Sequence, residues 1–323
     1  MRLIMECWLL FDGETESPNP GAYEVRRFIE AGRRYNINVT VLKPEQFDLC
    51  VTRDDRDSVM IDGQVIPLPD FVLPRISGAV NYFTLAVIRH LERLGVPCFN
   101  GSESMEAVKD KLHSQQILAE NNIPVPNTML AKFPVNTDLV EQTLGFPVVV
   151  KTLVGTHGSG VFLCDDYDRF EDLIELIGET QPNLHLIFQE FIAASHGRDL
   201  RVFVIDGKVV AGMQRKSNDG SFKANFSRGG TVENFVVDPE IEELAIESAR
   251  TLNLDIAGID ILFDNGGYKI CEANAAPDFR GLESCCDINI ADKILQSIAN
   301  RLAKTVTKEV IRQYDNVTSI VNM

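Results

Sequence analysis

Asp260 sits in the middle of Ile256-Ala257-Gly258-Ile259-Asp260-Ile261-Leu262-Phe263, a run otherwise suited only to a buried strand. An acid there is costly unless a cation meets it, so whatever folds around this strand must supply one. A second strand, Ile270-Cys271-Glu272-Ala273-Asn274, follows across the turn residues Asp264-Asn265-Gly266-Gly267. Glu272 and Asn274 are two apart and share one face of it. Setting Asp260 opposite Glu272 converges three oxygen ligands. That register needs a loop with an odd number of residues, because a two-residue Asn-Gly turn would put Asp260 on the other face. Two carboxylates and an amide oxygen, with no His or Cys among them, suit a hard Mg²⁺ completed by phosphate oxygens and water. The competing reading is a pair of acids solvated at a sheet edge.

A second glycine-bearing hairpin lies upstream. Phe146-Pro147-Val148-Val149-Val150-Lys151 reads as a strand, Gly155-Thr156-His157-Gly158-Ser159-Gly160 as its tip, and Val161-Phe162-Leu163 as the return. Gly155, Gly158 and Gly160 let backbone N–H groups approach an anion without Cβ interference. No Gly-Lys-Ser/Thr and no helix follow, so this is not a Walker A loop. Lys151 ends an apolar strand and calls for an anionic partner. Bases gather further on: Arg201, Arg215-Lys216, Lys223 and Arg228-Gly229-Gly230, in a chain of net charge −16. For Lys216 and Lys223 a solvated loop explains the charge equally well.

With 323 residues, the chain is long enough for two or three lobes. Residues 1–98 alternate strand and helix and form a small α/β lobe. Its first turn, Asp12-Gly13-Glu14, lacks the glycine fingerprint of a dinucleotide fold. Residues 99–187 form a central lobe, starting with a helix capped by Ser102 and running to about Glu120. Residues 188–304 form a further α+β lobe with hairpins over Leu200–Val210 and Ile256–Ala273 and a helix over Glu240–Leu252. Residues 305–323 read as a polar tail. The acidic balance argues against nucleic acid and anionic lipid as partners. No apolar run is long enough to span a bilayer. The N-terminal stretch carries Glu6 and lacks an export cleavage site. The seven scattered cysteines indicate a reducing compartment, so a cytoplasmic protein is expected.

Taken together and in order, Asp110-Lys111-Leu112, Val150-Lys151 with its glycine tip, Gln189-Glu190-Phe191-Ile192, Asp199-Leu200-Arg201, Asn225 before Arg228-Gly229-Gly230, Ala257-Gly258-Ile259-Asp260 and Glu272-Ala273-Asn274 resemble the ATP-grasp ligases. The nearest likeness is to the RimK-type branch, over about residues 70–303. The resemblance implies an ATP-grasp fold: a small Rossmann-like first lobe, then two α+β lobes sandwiching ATP. It implies that Lys111 and Lys151 contact the α- and β-phosphates, and that the backbone of Glu190 and Phe191 reads adenine. Asp199 would accept the ribose hydroxyls, and Lys223, Ala224 and Asn225 would border the nucleotide. Arg201 and Arg215 would act near the γ-phosphate and the acyl intermediate. Asp260, Glu272 and Asn274 would hold two Mg²⁺ ions, with Mn²⁺ as a substitute. Arg75 in Pro74-Arg75-Ile76, together with Arg228, Gly229 and Arg280, would face an acidic substrate.

The implied reaction joins a carboxylate to an amine through an acyl phosphate, adding glutamate or a similar amino acid to a peptide, a protein C-terminus or a small carboxylate. A homo-oligomer is implied too. After Asn274 the chain reads Ala275-Ala276-Pro277-Asp278-Phe279-Arg280-Gly281-Leu282-Glu283, which departs from the Ser-Pro-Gly-Leu-Glu-Gly of the polyglutamylating members and alters the pocket wall. Two alternatives stay open: a ligase of amino-acid or peptide-metabolite synthesis, as in the lysine pathway, and a synapsin-like protein that binds ATP without turnover.

Overall fold

The computed structural model describes residues 4–17, 21–53, 58–76, 80–153, 160–181, 183–224 and 229–304. In the first lobe, β1 (Met5–Leu10), α1 (Ala22–Arg34), β2 (Ile37–Leu42), β6 (Phe71–Pro74) and α2 (Tyr82–Arg93) build a parallel sheet of order β2-β1-β6. A small antiparallel sheet of β3 (Phe47–Leu49), β4 (Val59–Ile61) and β5 (Gln64–Val65) is inserted before β6. The apolar stretch at Val96–Phe99 adds only a single bridge, Cys98 to Val72.

The helix expected from Ser102 to Glu120 is two helices, α3 (Ser102–Lys109) and α4 (Lys111–Glu120). Asp110 breaks them: its extended backbone leaves α3, and its carboxylate accepts the N–H groups of Leu112 and His113 at 2.9 and 3.1 Å. Ser102 lies inside the first turn instead of capping it, and donates its hydroxyl to Glu92 at 2.5 Å. Periodicity could not reveal the break, because an aspartate that caps and one that merely interrupts a helix look alike.

The central sheet has the order β7-β10-β8-β9, from β7 (Thr128–Ala131), β8 (Val148–Thr152), β9 (Val161–Cys164) and β10 (Leu186–Glu190), covered by α5 (Thr137–Leu144) and α6 (Tyr167–Thr180). It has its own core of Val140, Val148, Val150, Phe170, Ile174 and Phe188. A lobe boundary after residue 187 would cut β10, whose pairing with β7 and β8 runs through Gln189 and Glu190 respectively.

The last lobe carries a five-stranded antiparallel sheet of order β13-β12-β11-β14-β15. Its strands are β11 (Arg198–Ile205), β12 (Lys208–Lys216), β13 (Thr231–Asn234), β14 (Ile256–Asp264) and β15 (Gly267–Asn274), with α7 (Pro239–Thr251) and α8 (Arg280–Cys285). Residues 290–304 form a further helix, α9. Alternate residues of β11 enter different cores, as strand geometry requires: Leu200, Val202 and Val204 join one, Phe203 and Ile205 the other. Both cores also take first-lobe residues, Val72 and Ile88 in one, Phe28 and Phe71 in the other. Each such buried side chain contributes about 1.5–3 kcal/mol, so the first lobe is welded to the last. Asn100 completes the joint. Its Nδ2 donates to the carbonyls of Ile256 and Ala275, both at 2.7 Å, and its Oδ1 accepts from the N–H groups of Asp255 and Ile256. Among the described residues no helix is long and apolar enough to cross a membrane.

Candidate active site

The β14–β15 hairpin turns through two residues, Asn265 and Gly266, with Asp264 opposite Gly267. The odd-numbered loop expected for this hairpin is therefore absent. The register is instead corrected inside the ladder, where a bulge between Asp260 and Ile261 leaves Cys271 as one extra residue on β15. Beyond it Asp260 faces Glu272 and Gly258 faces Asn274, so the three oxygen-bearing side chains return to one face. Asn274 Nδ2 donates to the Gly258 carbonyl at 3.3 Å.

Two arginines meet Asp260. Arg201, its cross-strand partner on β11, donates Nε and Nη2 to the two carboxylate oxygens at 2.7 and 2.8 Å. Arg215 on β12 sits 3.0 Å from Asp260 Oδ2 and grips Asp199, its own cross-strand partner, at 2.6 and 2.7 Å. Burial alone would push the Asp260 carboxyl up, but Arg201 and Arg215 together hold it below the usual carboxylate range. Burial likewise opposes the charge on Arg215, and Asp199 and Asp260 override it. The four side chains are charge-balanced and form a single network, and the Asp199 carboxylate is fully engaged in it.

The lysines arrive from other elements. Lys111 opens α4 just past its Asp110 cap and donates to Glu272 Oε1 at 3.2 Å. Lys151 on β8 donates to Gln189 Oε1 on β10 and reaches within 3.8 Å of Cys271 Sγ. The central lobe thereby touches the bulge of the last one. Gln189, buried and donating to Thr128 Oγ1 at 2.9 Å, holds the Lys151 ammonium and was not singled out by sequence. Its neighbour Glu190 accepts from Asn127 N and Nδ2 at 2.9 and 3.1 Å and from Lys269 on β15. The Glu190 N–H also goes to Asn127 O, at 2.9 Å. Phe191 packs edge-on to His196. Neither Asn127 nor Lys269 carried a motif.

Lys223 lies against the rings of Phe162 and Phe222, at 5.8 and 5.5 Å, and Ala224 is buried. Gly160 has φ +68°, and a Cβ on it would lie 2.5 Å from Thr152 Oγ1, so glycine is required where β9 begins. Gly229, also at positive φ, accepts Asn218 Nδ2 at 2.7 Å. Lys216 pairs with Glu233 in solvent, apart from the arginine network. Gly155, Gly158, Asn225 and Arg228 lie outside the described residues, as does His157.

Arg75 and Arg280 stand elsewhere. Arg75 is buried, donates Nη2 to the Pro277 carbonyl at 2.8 Å and lies between the Phe28 and Phe279 rings. Its role in the structure is to join lobes, a placement that needed the long-range approach of Pro277. Its Nε has no hydrogen-bond partner among the described residues. Arg280 is exposed over the Tyr23 ring.

Among the described residues no group of three His, Cys, Asp or Glu side chains forms a ready metal cage. The donor set still fits magnesium, which binds through one or two carboxylates and completes its shell with phosphate oxygens and water. Asp260 and Glu272 both face cations that a divalent ion could replace.

A three-lobed architecture with arginines, lysines and paired acids at the meeting of two lobes defines a nucleotide-using ATP-grasp protein. Residues 108–298 match the RimK-like ATP-grasp domain, and residues 17–105 the RimK PreATP-grasp domain. The chain is 35% identical over 295 residues to the probable alpha-L-glutamate ligase of Marinomonas sp., covering 90% of this chain and 97% of that one. It is 36% identical over 285 residues to the probable alpha-L-glutamate ligase of Shewanella pealeana, covering 88% of this chain but only 62% of that longer protein. Among solved structures, the ATP-grasp ligase PsnB in complex with a phosphomimetic variant of its minimal precursor, Mg and ADP superposes with a TM-score of 0.71 at 20% identity, over 91% of this chain and 98% of that one. The chain belongs to the RimK-like ATP-grasp family.

Proposed function

We propose that the protein is an ATP-dependent carboxylate–amine ligase that adds glutamate or a similar amino acid to a peptide, a protein C-terminus or a small carboxylate, releasing ADP and phosphate. The observation that carries this reading is Asp260 set opposite Glu272 with Arg201, Arg215 and Lys111 closing on the pair. The glutamate-ligase relatives and the precursor-bound PsnB neighbour support an amino-acid or peptide substrate.

In this reading an acid's carboxylate oxygen attacks the γ-phosphorus of ATP, the bond to the β-phosphate oxygen breaks, and ADP leaves. The amine nitrogen then attacks the acyl carbon, phosphate departs with the C–O electron pair, and the amine loses a proton. Lys111 and Lys151 hold the inner phosphates, with Gln189 orienting Lys151. Asp199 borders the ribose, and Lys223 with Ala224 the nucleotide. Arg201 and Arg215 offset the negative charge that gathers where acid and γ-phosphate meet. Asp260, Glu272 and Asn274 would hold Mg²⁺, as two ions and replaceable by Mn²⁺, which when bound screens phosphate charge. No side chain is asked to form a covalent bond. Seven free cysteines fit a reducing cytoplasm, and the homo-oligomer implied by the family likeness is open to light scattering.

The test is ADP release from MgATP with a panel of acids and amino acids, followed by mass spectrometry of the products. An amide product supports the reading. Tight MgATP binding without ADP release across the panel would overturn it in favour of a regulatory nucleotide-binding protein.

A further inference from the structure

The segment leaving Asn274 is gripped by the first lobe. Pro277 packs so closely on Gly258 that a Cβ there would lie 2.6 Å from the Pro277 Cβ. From Pro277 the chain enters α8, whose N-cap residue Phe279 makes no capping bond with its own side chain. The cap comes from the first turn of α1. Glu24 Oε1 accepts the N–H groups of both Phe279 and Arg280, at 3.0 and 3.1 Å. The neighbours of Glu24 reinforce the grip: Tyr23 Oη and Arg27 Nε donate to Glu283 Oε2 at 2.6 and 2.9 Å, while Arg75 holds the Pro277 carbonyl. Phe279, fully buried, is wedged edge-on among the rings of Tyr23, Phe28 and Phe203.

Glu24 is 1% exposed. A carboxylate buried that deeply is costly, and an apolar residue could fill the same space, so packing does not account for it. What only an acceptor oxygen provides is the direction of two successive backbone N–H groups, the second of them that of Arg280. Arg280 is the exposed base of the stretch that follows the last metal-side residue, Asn274.

We propose that Glu24 is a positioning residue for the acid-binding side of the site: from the first lobe it fixes the turn over Pro277–Arg280, and with it the reach of Arg280, without touching the nucleotide. The inference rests on the ligase reading for its kinetic consequence, while its structural half stands independently. Because one oxygen accepts both bonds, a neutral amide oxygen can replace it.

Two variants of the full chain, Glu24→Gln and Glu24→Leu, compared with wild type, test this. Hydrogen exchange read by mass spectrometry should show the Phe279 and Arg280 amides exchanging at least about tenfold faster in Glu24→Leu and near the wild-type rate in Glu24→Gln, with β11 unchanged in both. With L-glutamate as amine and diglutamate as acid, Glu24→Leu should raise KM for diglutamate about tenfold or more, leave KM for ATP within about twofold, and be rescued by Glu24→Gln. Unchanged exchange at Phe279 and Arg280 in a folded Glu24→Leu protein overturns the proposal, as does a parallel rise of both KM values. If wild type releases no ADP with any acid, the ligase reading falls, and the exchange experiment still decides whether Glu24 sets this turn.

Discussion

Asp260 stands opposite Glu272 because β15 carries one residue more than its partner, Cys271, inserted between a two-residue turn and the acids. The bulge turns a hairpin that would point its acids to opposite faces into one that gathers them. Deleting Cys271 should therefore give a regular ladder in which Glu272 still stands opposite Asp260 and Asn274 opposite Gly258, because only the extra residue is lost. Isothermal titration with MgATP is expected to show binding kept both in the deletion and in Cys271→Ala, since in both the acids share one face. Binding lost in the deletion but kept in Cys271→Ala would overturn this register account and show that the bulge shapes the site by its local twist.

The two acids should behave differently when neutralised. Asp260 is buried against Arg201 and Arg215, and Asp260→Asn leaves both arginines short of charge, at a cost of about 3–5 kcal/mol for a broken buried pair. Glu272 is half-exposed beside Lys111, and Glu272→Gln should cost about 1 kcal/mol or less while abolishing ADP release. Urea melts and turnover assays on both variants check the contrast; a fully active Glu272→Gln would remove the metal assignment.

Part of this site is readable in the sequence because Glu272 and Asn274 lie two apart on one strand and share a face by spacing alone, whereas Asp260 joins them only through the bulge. Arg201 and Arg215 were visible as bases in an acidic chain, but their carboxylate partners depend on the β11–β12 and β11–β14 registers, which no local pattern encodes. The bulge was inaccessible for a related reason: Asn265-Gly266 correctly signals a two-residue turn, and nothing near Cys271 signals the extra residue. Gln189 stands in the Gln189–Ile192 motif without a role of its own and Asn127 and Lys269 stand in none, because each acts by holding a neighbour. The hold of Arg75 on the Pro277 carbonyl has no local signal either, because the chain after Asn274 returns to the first lobe only in three dimensions.

Gln189 orients Lys151 through one hydrogen bond and is itself held by Thr128. Gln189→Leu removes the acceptor and leaves the ammonium free to swing, so MgATP affinity should fall about tenfold, the worth of one charge-assisted bond. Lys151→Ala should lose more, since the cation itself goes. Titration of MgATP into the three proteins gives the order directly, and a Gln189→Leu protein that binds as tightly as wild type would show that Lys151 is positioned by other groups.

Stability should also report on Glu24 through pH. Burial pushes its carboxyl above the ordinary 4.5, Asp278 adds to the shift, and Arg75 with the Phe279 N–H works against it. A carboxyl whose folded-state pKa is raised binds more protons folded than unfolded. Its favourable contribution is thus complete below the unfolded value and is lost as pH rises through the folded one. Glu24→Gln keeps an acceptor oxygen but cannot ionise, so the stability of wild type relative to this variant should decline as pH is raised above about 4.5 and level off once Glu24 is charged in both states. Urea melts of the two proteins at stepped pH measure the difference. Curves that stay parallel over the whole interval would mean that Glu24 is ionised throughout, with Arg75 and the two N–H groups fully compensating its burial.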